Sequence, residues 1–378
     1  MAPTTRFPQF YNKLFDYSLK KTVHITFFDI LKSISMKDTN RLIVSSKYIH
    51  KDMPIKFANR IMDLNNLPFG LSKNHSVNKI REWYITSFLE LTEHPEPNTF
   101  KECEEFKKTV ARIFDRHAPT LMTMSKGLYE LNKEKLISDI DAPKIQATLT
   151  RFYKNRTELR IIIEQHLALF EQLNPIGKHM INMNNKQMFG IVNLQCDLNQ
   201  IIKHGIADVQ YICNRNYLGI DLDDVVTVNL PKKVMLIPSI EHYLYYVFFE
   251  LIKNSVQAVL NKRTKYATQH PYTPQIIISL HELNSNWILV HIKDNGVGIN
   301  SQDLEKIWYY SFTTNTLAKD IIEEHDFSIR TPLSGFGYGL PISEIYMNFL
   351  NASSNNIKID STYGEGTDVF IYLRGGNP

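Results

Sequence analysis

Three glycines fall within five residues of the stretch SGFGYGLPIS, at Gly335, Gly337 and Gly339. Glycine lets backbone N–H groups come close to a ligand, and a loop that closes over something flat and charged explains the spacing better than a strand does. The best-matched charged group is phosphate. A second stretch, FFELIKNSVQAV, sets Glu250 four residues before Asn254, so a helix would show a carboxylate and a carboxamide on one face. Taken alone, that pair reads as a surface hydrogen bond. The surrounding HYLYYVFFELIKN is so apolar, however, that the helix must be largely buried, and an ionisable residue there needs a partner or a purpose. A third stretch, ILVHIKDNGVGI, ends a strand in Asp294 and follows it with Gly296 and Gly298 in a DxGxG turn. In a fourth, YGEGTDVFIYL, Gly364 and Gly366 lead into Thr367 and a last strand.

The elements that must position these residues divide the chain in two. Residues 24–185 follow a 3.6-residue period through DMPIKFANRIMDLNNLP, VNKIREWYITSFLELTE, EEFKKTVARIFDRHAPTLMTMSKGLYELN and IQATLTRFYKNRTELRIIIEQHLALFEQLNP. Four long amphipathic helices with short polar connections predict a bundle. From residue 186 to 378, strand-like runs alternate with helices such as LNQIIKHGIADVQYICNRN. The runs are FGIVNLQCDL, VVTVNLP, QIIISLHE, WILVHIKD and TDVFIYL, and without regular βαβ order they predict an α+β sandwich. Residues 1–23 carry Arg6, Lys13, Lys20 and Lys21 against Asp16, among apolar Phe7, Phe10, Leu14 and Phe15. That mixture fits either an amphipathic mitochondrial transit segment or a leader packed on the first helix.

Bulk composition excludes several classes. A net charge of +4 without a dense Lys/Arg block gives no footprint for nucleic acid. Cys103, Cys196 and Cys213 are odd in number and widely spaced, so free thiols in a reducing compartment are expected and a zinc site is not. No apolar run approaches the roughly 20 residues of a membrane span. The glycine run has Leu340 where a Rossmann fingerprint needs its third glycine, no GxxxxGK[ST] exists, and the HRD and DFG motifs of eukaryotic-type kinases are absent.

What remains is an ordered set: ExxxN on a helix, DxGxG after a strand, GxGxGL before a helix, then GxGT. Together they resemble the Bergerat (GHKL) ATP-binding fold of gyrase, Hsp90, histidine kinases and MutL-type ATPases. The resemblance implies ATP and Mg as cofactors, with Asn254 as the Mg ligand. It implies that Asp294 accepts from the adenine amino group, with Gly296, Gly298 and Thr367 around it. Gly335, Phe336, Gly337, Tyr338, Gly339 and Leu340 would wrap the phosphates as a lid and deliver them to a helix N-terminus.

Within that superfamily, a phosphoacceptor His should be followed by an acid, and His117 in DRHAP and His166 in EQHLAL are not. Hsp90- and MutL-type machines put the ATPase domain first. A helical domain ahead of the ATP domain is instead similar to the mitochondrial 2-oxoacid dehydrogenase kinases, of pyruvate or branched-chain type. The likeness runs from about residue 24 to 374 through DMPIKFANRI, RHAPTLMTMSKGLYE, EQHLALF, FFELIKNSVQA, DNGVGI, YYSFTT, SGFGYGLPIS and GTDVFIYL. Thr313 and Thr314 match residues beside the phosphates, while Gln257 stands where the family usually has Arg. DNG replaces DRG, and Tyr246 replaces a His that many pyruvate-type members carry four residues before the Glu. Tyr246, SFTT with GTDVFIYL, and the absence of a long C-terminal tail lean toward the branched-chain type.

The resemblance implies phosphoryl transfer from MgATP to a serine of the decarboxylase component of a 2-oxoacid dehydrogenase complex, with Glu250 as general base. It further implies docking of the helical domain on a lipoyl domain of the acyltransferase core, a homodimer, and the mitochondrial matrix. The alternatives are an ATP-binding scaffold of the same complex and a soluble histidine kinase.

Overall fold

The computed structural model describes residues 6–35, 38–68, 70–133, 142–173, 187–215, 220–231, 233–266, 272–313 and 337–375. Two compact units, Met1–Ile191 and Val192–Pro378, make up the chain.

The first unit is helical: α1 (Arg6–Ser18), α2 (Phe27–Lys32), α3 (Asp38–Asn65), α4 (His75–Glu93), α5 (Phe100–Arg116), α6 (Thr120–Lys133) and α7 (Ala142–Leu173), with a two-residue strand β1 (Met188–Phe189) near its end. Local chemistry sets the starts. Asn74 accepts from the Ser76 and Val77 N–H groups at the head of α4. Thr99 and Glu102 form a reciprocal capping box at α5, as Thr26 and Asp29 do at α2. The stretch expected as one helix through DRHAPT breaks into α5 and α6, because Pro119 disfavours helical geometry in the residue before it. In the other direction, α3 begins well before the predicted DMPIKFANRI and carries Pro54 inside it. Its buried face, Leu42, Ile49, Met53, Phe57, Ile61 and Leu64, continues on both sides of the proline and holds the helix together.

Helix α1 packs inward through Leu14, which is buried, and through Phe10 and Tyr17, whose rings meet Phe88 edge-on at 6.2 and 5.4 Å. A buried charge network fixes the segment after it. Lys56 Nζ donates to Glu158 Oε1 at 2.7 Å and to the Val23 carbonyl, also at 2.7 Å. His24 Nδ1 meets Glu158 Oε2 at 3.0 Å, and the Ile25 N–H donates to Oε1.

The second unit holds β2 (Val192–Asp197), α8 (Leu198–Arg215), α9 (Leu222–Val225), β3 (Val226–Asn229), β4 (Leu236–Ser239), α10 (Glu241–Tyr266), β5 (Ile276–Asn284), β6 (Trp287–Asp294), α11 (Gly339–Asn351), β7 (Ile357–Thr362) and β8 (Gly366–Arg374). Five strands pair in the order β3-β5-β6-β8-β7, parallel between β3 and β5 and antiparallel elsewhere, while β2 and β4 form a separate antiparallel pair. Alternate residues Ile288, Val290, Ile292 on β6 and Val369, Ile371, Leu373 on β8 are buried, as period-2 patterning requires. Helix α10 packs on α8, α11 and the strands β6 and β8, so it forms the spine of an α/β sandwich.

Strands β4 and β7 escape a reading of periodicity. LIPS is short and contains a proline, and IKIDST is half polar. All three cysteines are buried and free. Burial raises the Cys103 thiol and pushes Cys196 up to about 12 and Cys213 to about 11. Among the described residues no helix is long and apolar enough to cross a membrane, and no cluster of His, Cys, Asp or Glu could hold a metal ion.

Candidate active site

The site is built along α10. Asp294, the last residue of β6, is 4% exposed, yet it is ringed by donors. The Gly296 N–H donates to Oδ1 at 2.9 Å, and the Ser255 side chain and the Thr367 backbone donate as well. Burial nevertheless dominates and raises its pKa to about 6. Thr367 is also buried, its hydroxyl 2.9 Å from Ser361 Oγ, and that same oxygen accepts from the Ile299 N–H. The DxGxG turn is stitched to its surroundings on both sides, with Val297 N–H donating to Ala258 O on α10 and Gly364 N–H to Val297 O. Gly296 and Gly298 therefore lie between Asp294 and the β7–β8 turn.

Asn295, where the resembling family has Arg, works as a clamp. Its side chain donates to Thr273 O and accepts from the Gln275 N–H and the Tyr272 hydroxyl, each at 2.9 Å. Lys262 Nζ closes the same corner through Asn295 O at 2.8 Å and Glu365 O at 3.2 Å.

Glu250 and Asn254 share one face of α10 as their spacing requires, but their environments differ. Asn254 is exposed, whereas Glu250 is buried and receives a 2.7 Å bond from Lys253 Nζ, itself 2% exposed. Tyr246, one turn earlier, is a phenol held neutral by burial and by the charge of Glu250, with its ring edge-on to Tyr346 at 5.3 Å. Gln257 turns along the helix to Asn261 at 2.7 Å, away from Glu250.

Of the glycine loop, Gly337 to Leu340 are described; Gly335 and Phe336 lie outside the described residues, as does Thr314. Gly337 adopts φ +74°, and a side chain there would strike the backbone of Phe312. Its carbonyl accepts from the Ser311 N–H at 3.1 Å, and Ser311 Oγ donates to the Tyr338 hydroxyl at 3.0 Å. The YYSFTT segment, which carries Thr313, thus braces the loop. Tyr338 and Leu340 have buried side chains. Gly339 opens α11 against Glu250, where a side chain would collide with Oε2.

The two histidines without a following acid are both interior. His117 stacks beside Phe57 and Tyr84 with Nε2 3.0 Å from Ser87 Oγ, and His166 Nδ1 lies 2.8 Å from Ser45 Oγ. Burial pushes each down to about 3, so both imidazoles are neutral. Sequence reasoning missed Lys253, Ser255 and Lys262. Lys253 alone left a signal, as the one cation in FFELIKN.

Residues 24–193 match the family described as mitochondrial branched-chain alpha-ketoacid dehydrogenase kinase, and residues 240–377 match the histidine kinase-, DNA gyrase B-, and HSP90-like ATPases. These two matches, one to each part of the chain, are consistent with a kinase of GHKL type. Among similar 2-oxoacid dehydrogenase kinases, human pyruvate dehydrogenase (acetyl-transferring) kinase isozyme 1, mitochondrial, is 28% identical over 338 residues, covering 87% of this chain and 72% of the relative. Human isozyme 3 is 28% identical over 336 residues, covering 87% and 78%. Isozyme 4 of Ictidomys tridecemlineatus is 26% identical over 334 residues, covering 87% and 76%. These similarities support a kinase that uses ATP.

Proposed function

We propose that this kinase transfers the γ-phosphoryl group of MgATP to a serine of the decarboxylase component of a mitochondrial 2-oxoacid dehydrogenase complex, inactivating it. The observation that supports this reading most is the arrangement on α10: a buried carboxylate, Glu250, one turn before an exposed carboxamide, Asn254, with the carboxylate facing the first residue of the glycine-loop helix.

The residues present fit the cofactors. Asp294 offers a buried acceptor for an exocyclic amine, with Gly296, Gly298 and Thr367 beside it. Gly337 to Leu340 bring backbone to the N-terminus of α11, a setting for phosphate, and Gly335, Phe336, Thr313 and Thr314 belong to the same proposed binding set. Asn254 supplies one hard oxygen, which suits an ion that keeps waters and phosphate oxygens for its other positions. Bound Mg would neutralise charge developing on the phosphates. Glu250 would take the proton from the serine hydroxyl as that oxygen bonds to the γ-phosphorus; the bond to the β–γ bridging oxygen breaks, and ADP leaves. Docking of the helical unit on a lipoyl domain, a homodimer and the mitochondrial matrix complete the proposal.

Incubation with purified pyruvate and branched-chain complexes and labelled ATP tests it directly. Acid-stable phosphoserine on one decarboxylase is expected. Glu250→Gln should reduce phosphorylation by about 10²–10⁴-fold while sparing ATP binding. Asn254→Ala should weaken Mg-dependent nucleotide binding as well as turnover. Near-normal phosphorylation by Glu250→Gln would remove Glu250 as base; no phosphate on either complex would remove the reading itself.

A further inference from the structure

Glu250 is held from two sides. Lys253 Nζ occupies Oε1 at 2.7 Å from three residues along the same helix, and both side chains are buried. A buried ammonium–carboxylate pair is seldom the most stable filling for such a space, since apolar side chains of similar volume do as well or better. Its presence at this position calls for another role. The second oxygen, Oε2, lies against Gly339, the first residue of α11, where a Cβ would overlap it. Glycine at 339 therefore leaves the space into which that oxygen points.

We propose that Lys253 and Gly339 are positioning residues which together aim the Glu250 carboxylate: Lys253 anchors one oxygen so that the other faces the head of the glycine-loop helix. The proposal rests on Glu250 being the base. Neither residue takes part in bond making; each acts through Glu250. Lys253 sets the side-chain geometry by tethering Oε1, and Gly339 sets it by absence of a side chain. The collision at 339 involves the far end of a flexible side chain, so a methyl group there would displace the carboxylate and leave the surrounding backbone in place.

The test compares Lys253→Met, Lys253→Arg and Gly339→Ala, each alone and with Glu250→Gln, for kcat, KM of the dehydrogenase substrate, ATP affinity by titration, and thermal unfolding. Lys253→Met and Gly339→Ala should each lower kcat by about 10–100-fold, as misplacement of a reacting group by about 1 Å does. ATP affinity of Lys253→Met should stay within about twofold, and Lys253→Arg, which keeps a donor, should recover most of the rate. In the Glu250→Gln background neither substitution should cost anything further, because the group they act through is gone. Losses in Lys253→Met that multiply with that of Glu250→Gln, or a parallel loss of its ATP affinity, would show that Lys253 serves the phosphates directly and overturn the proposal. So would unchanged kcat in Gly339→Ala, a variant that keeps the ion pair and therefore remains informative if Lys253→Met unfolds. A normal rate in Glu250→Gln alone instead refutes the base assignment, and the two failures are thereby told apart.

Discussion

Asp294 at the end of β6 stands directly opposite Thr367 on β8, and the Thr367 backbone donates to the buried Asp294 carboxylate. That register places a buried carboxylate, the proposed adenine contact, at the junction of sheet and spine helix. It also leaves the acid titrating at about 6 rather than 3.8, because burial outweighs its donors. If the charged form holds the adenine amino group, ATP affinity should be flat above about pH 7 and fall as the pH drops through about 6. Titration calorimetry with ATP across that range measures it, and Asp294→Ala should abolish binding at every pH. The free protein behaves in the opposite sense. A carboxyl whose folded pKa is raised contributes most below the unfolded value, and about 3 kcal/mol is lost as the pH rises from 3.8 to about 6.

Gly337→Val places a β-branched residue at φ +74° and against the Phe312 backbone. Strain of about 1–3 kcal/mol is expected. Because the proposed adenine contacts lie on β6 and β8, ATP affinity should fall more than that of a ligand reaching only the adenine pocket. Equal losses for both ligands, measured by competition titration, would mean that the substitution merely loosens the whole unit.

In the helical unit, Lys56→Met removes the strongest partner of Glu158 and leaves the carboxylate to His24 and the Ile25 N–H. Breaking a buried pair from one side costs about 3–5 kcal/mol. Denaturant unfolding should show that loss, and Lys56→Met with Glu158→Leu should regain most of it. Burial raises the Glu158 pKa, but Lys56 and His24 outweigh it and hold the group below its usual 4.5. Stability from this pair is therefore present above pH 4.5 and lost as the pH falls through the lowered value.

Much of the fold was legible because residues broke local rules. Glu250 inside an apolar helix, Asp294 before two glycines, and the crowded glycines ahead of Pro341 each conflict with plain secondary structure. Lys253 was harder: it is the one cation in FFELIKN, but a lysine on a helix ordinarily reaches solvent, and its burial beside Glu250 shows only in the structure. Ser255 and Lys262 act through residues 33 or more positions away and leave no local pattern. Pro54 shows the reverse failure: a local breaker was overridden by a buried stripe on both sides of it. Likewise Asn295 looks like an ordinary turn residue until its three partners in residues 272–275 are seen.

The interior cysteines give each unit its own chemical clock. Cys103 belongs to the first unit, Cys196 and Cys213 to the second, and all three thiols are shielded and raised above their ordinary range. A thiolate-seeking reagent can label them only when the surrounding structure opens, so alkylation rates followed by peptide mapping read the opening of each unit separately. Nucleotide should then slow labelling of Cys196 and Cys213, which lie in the unit that holds the proposed ATP site, before it affects Cys103.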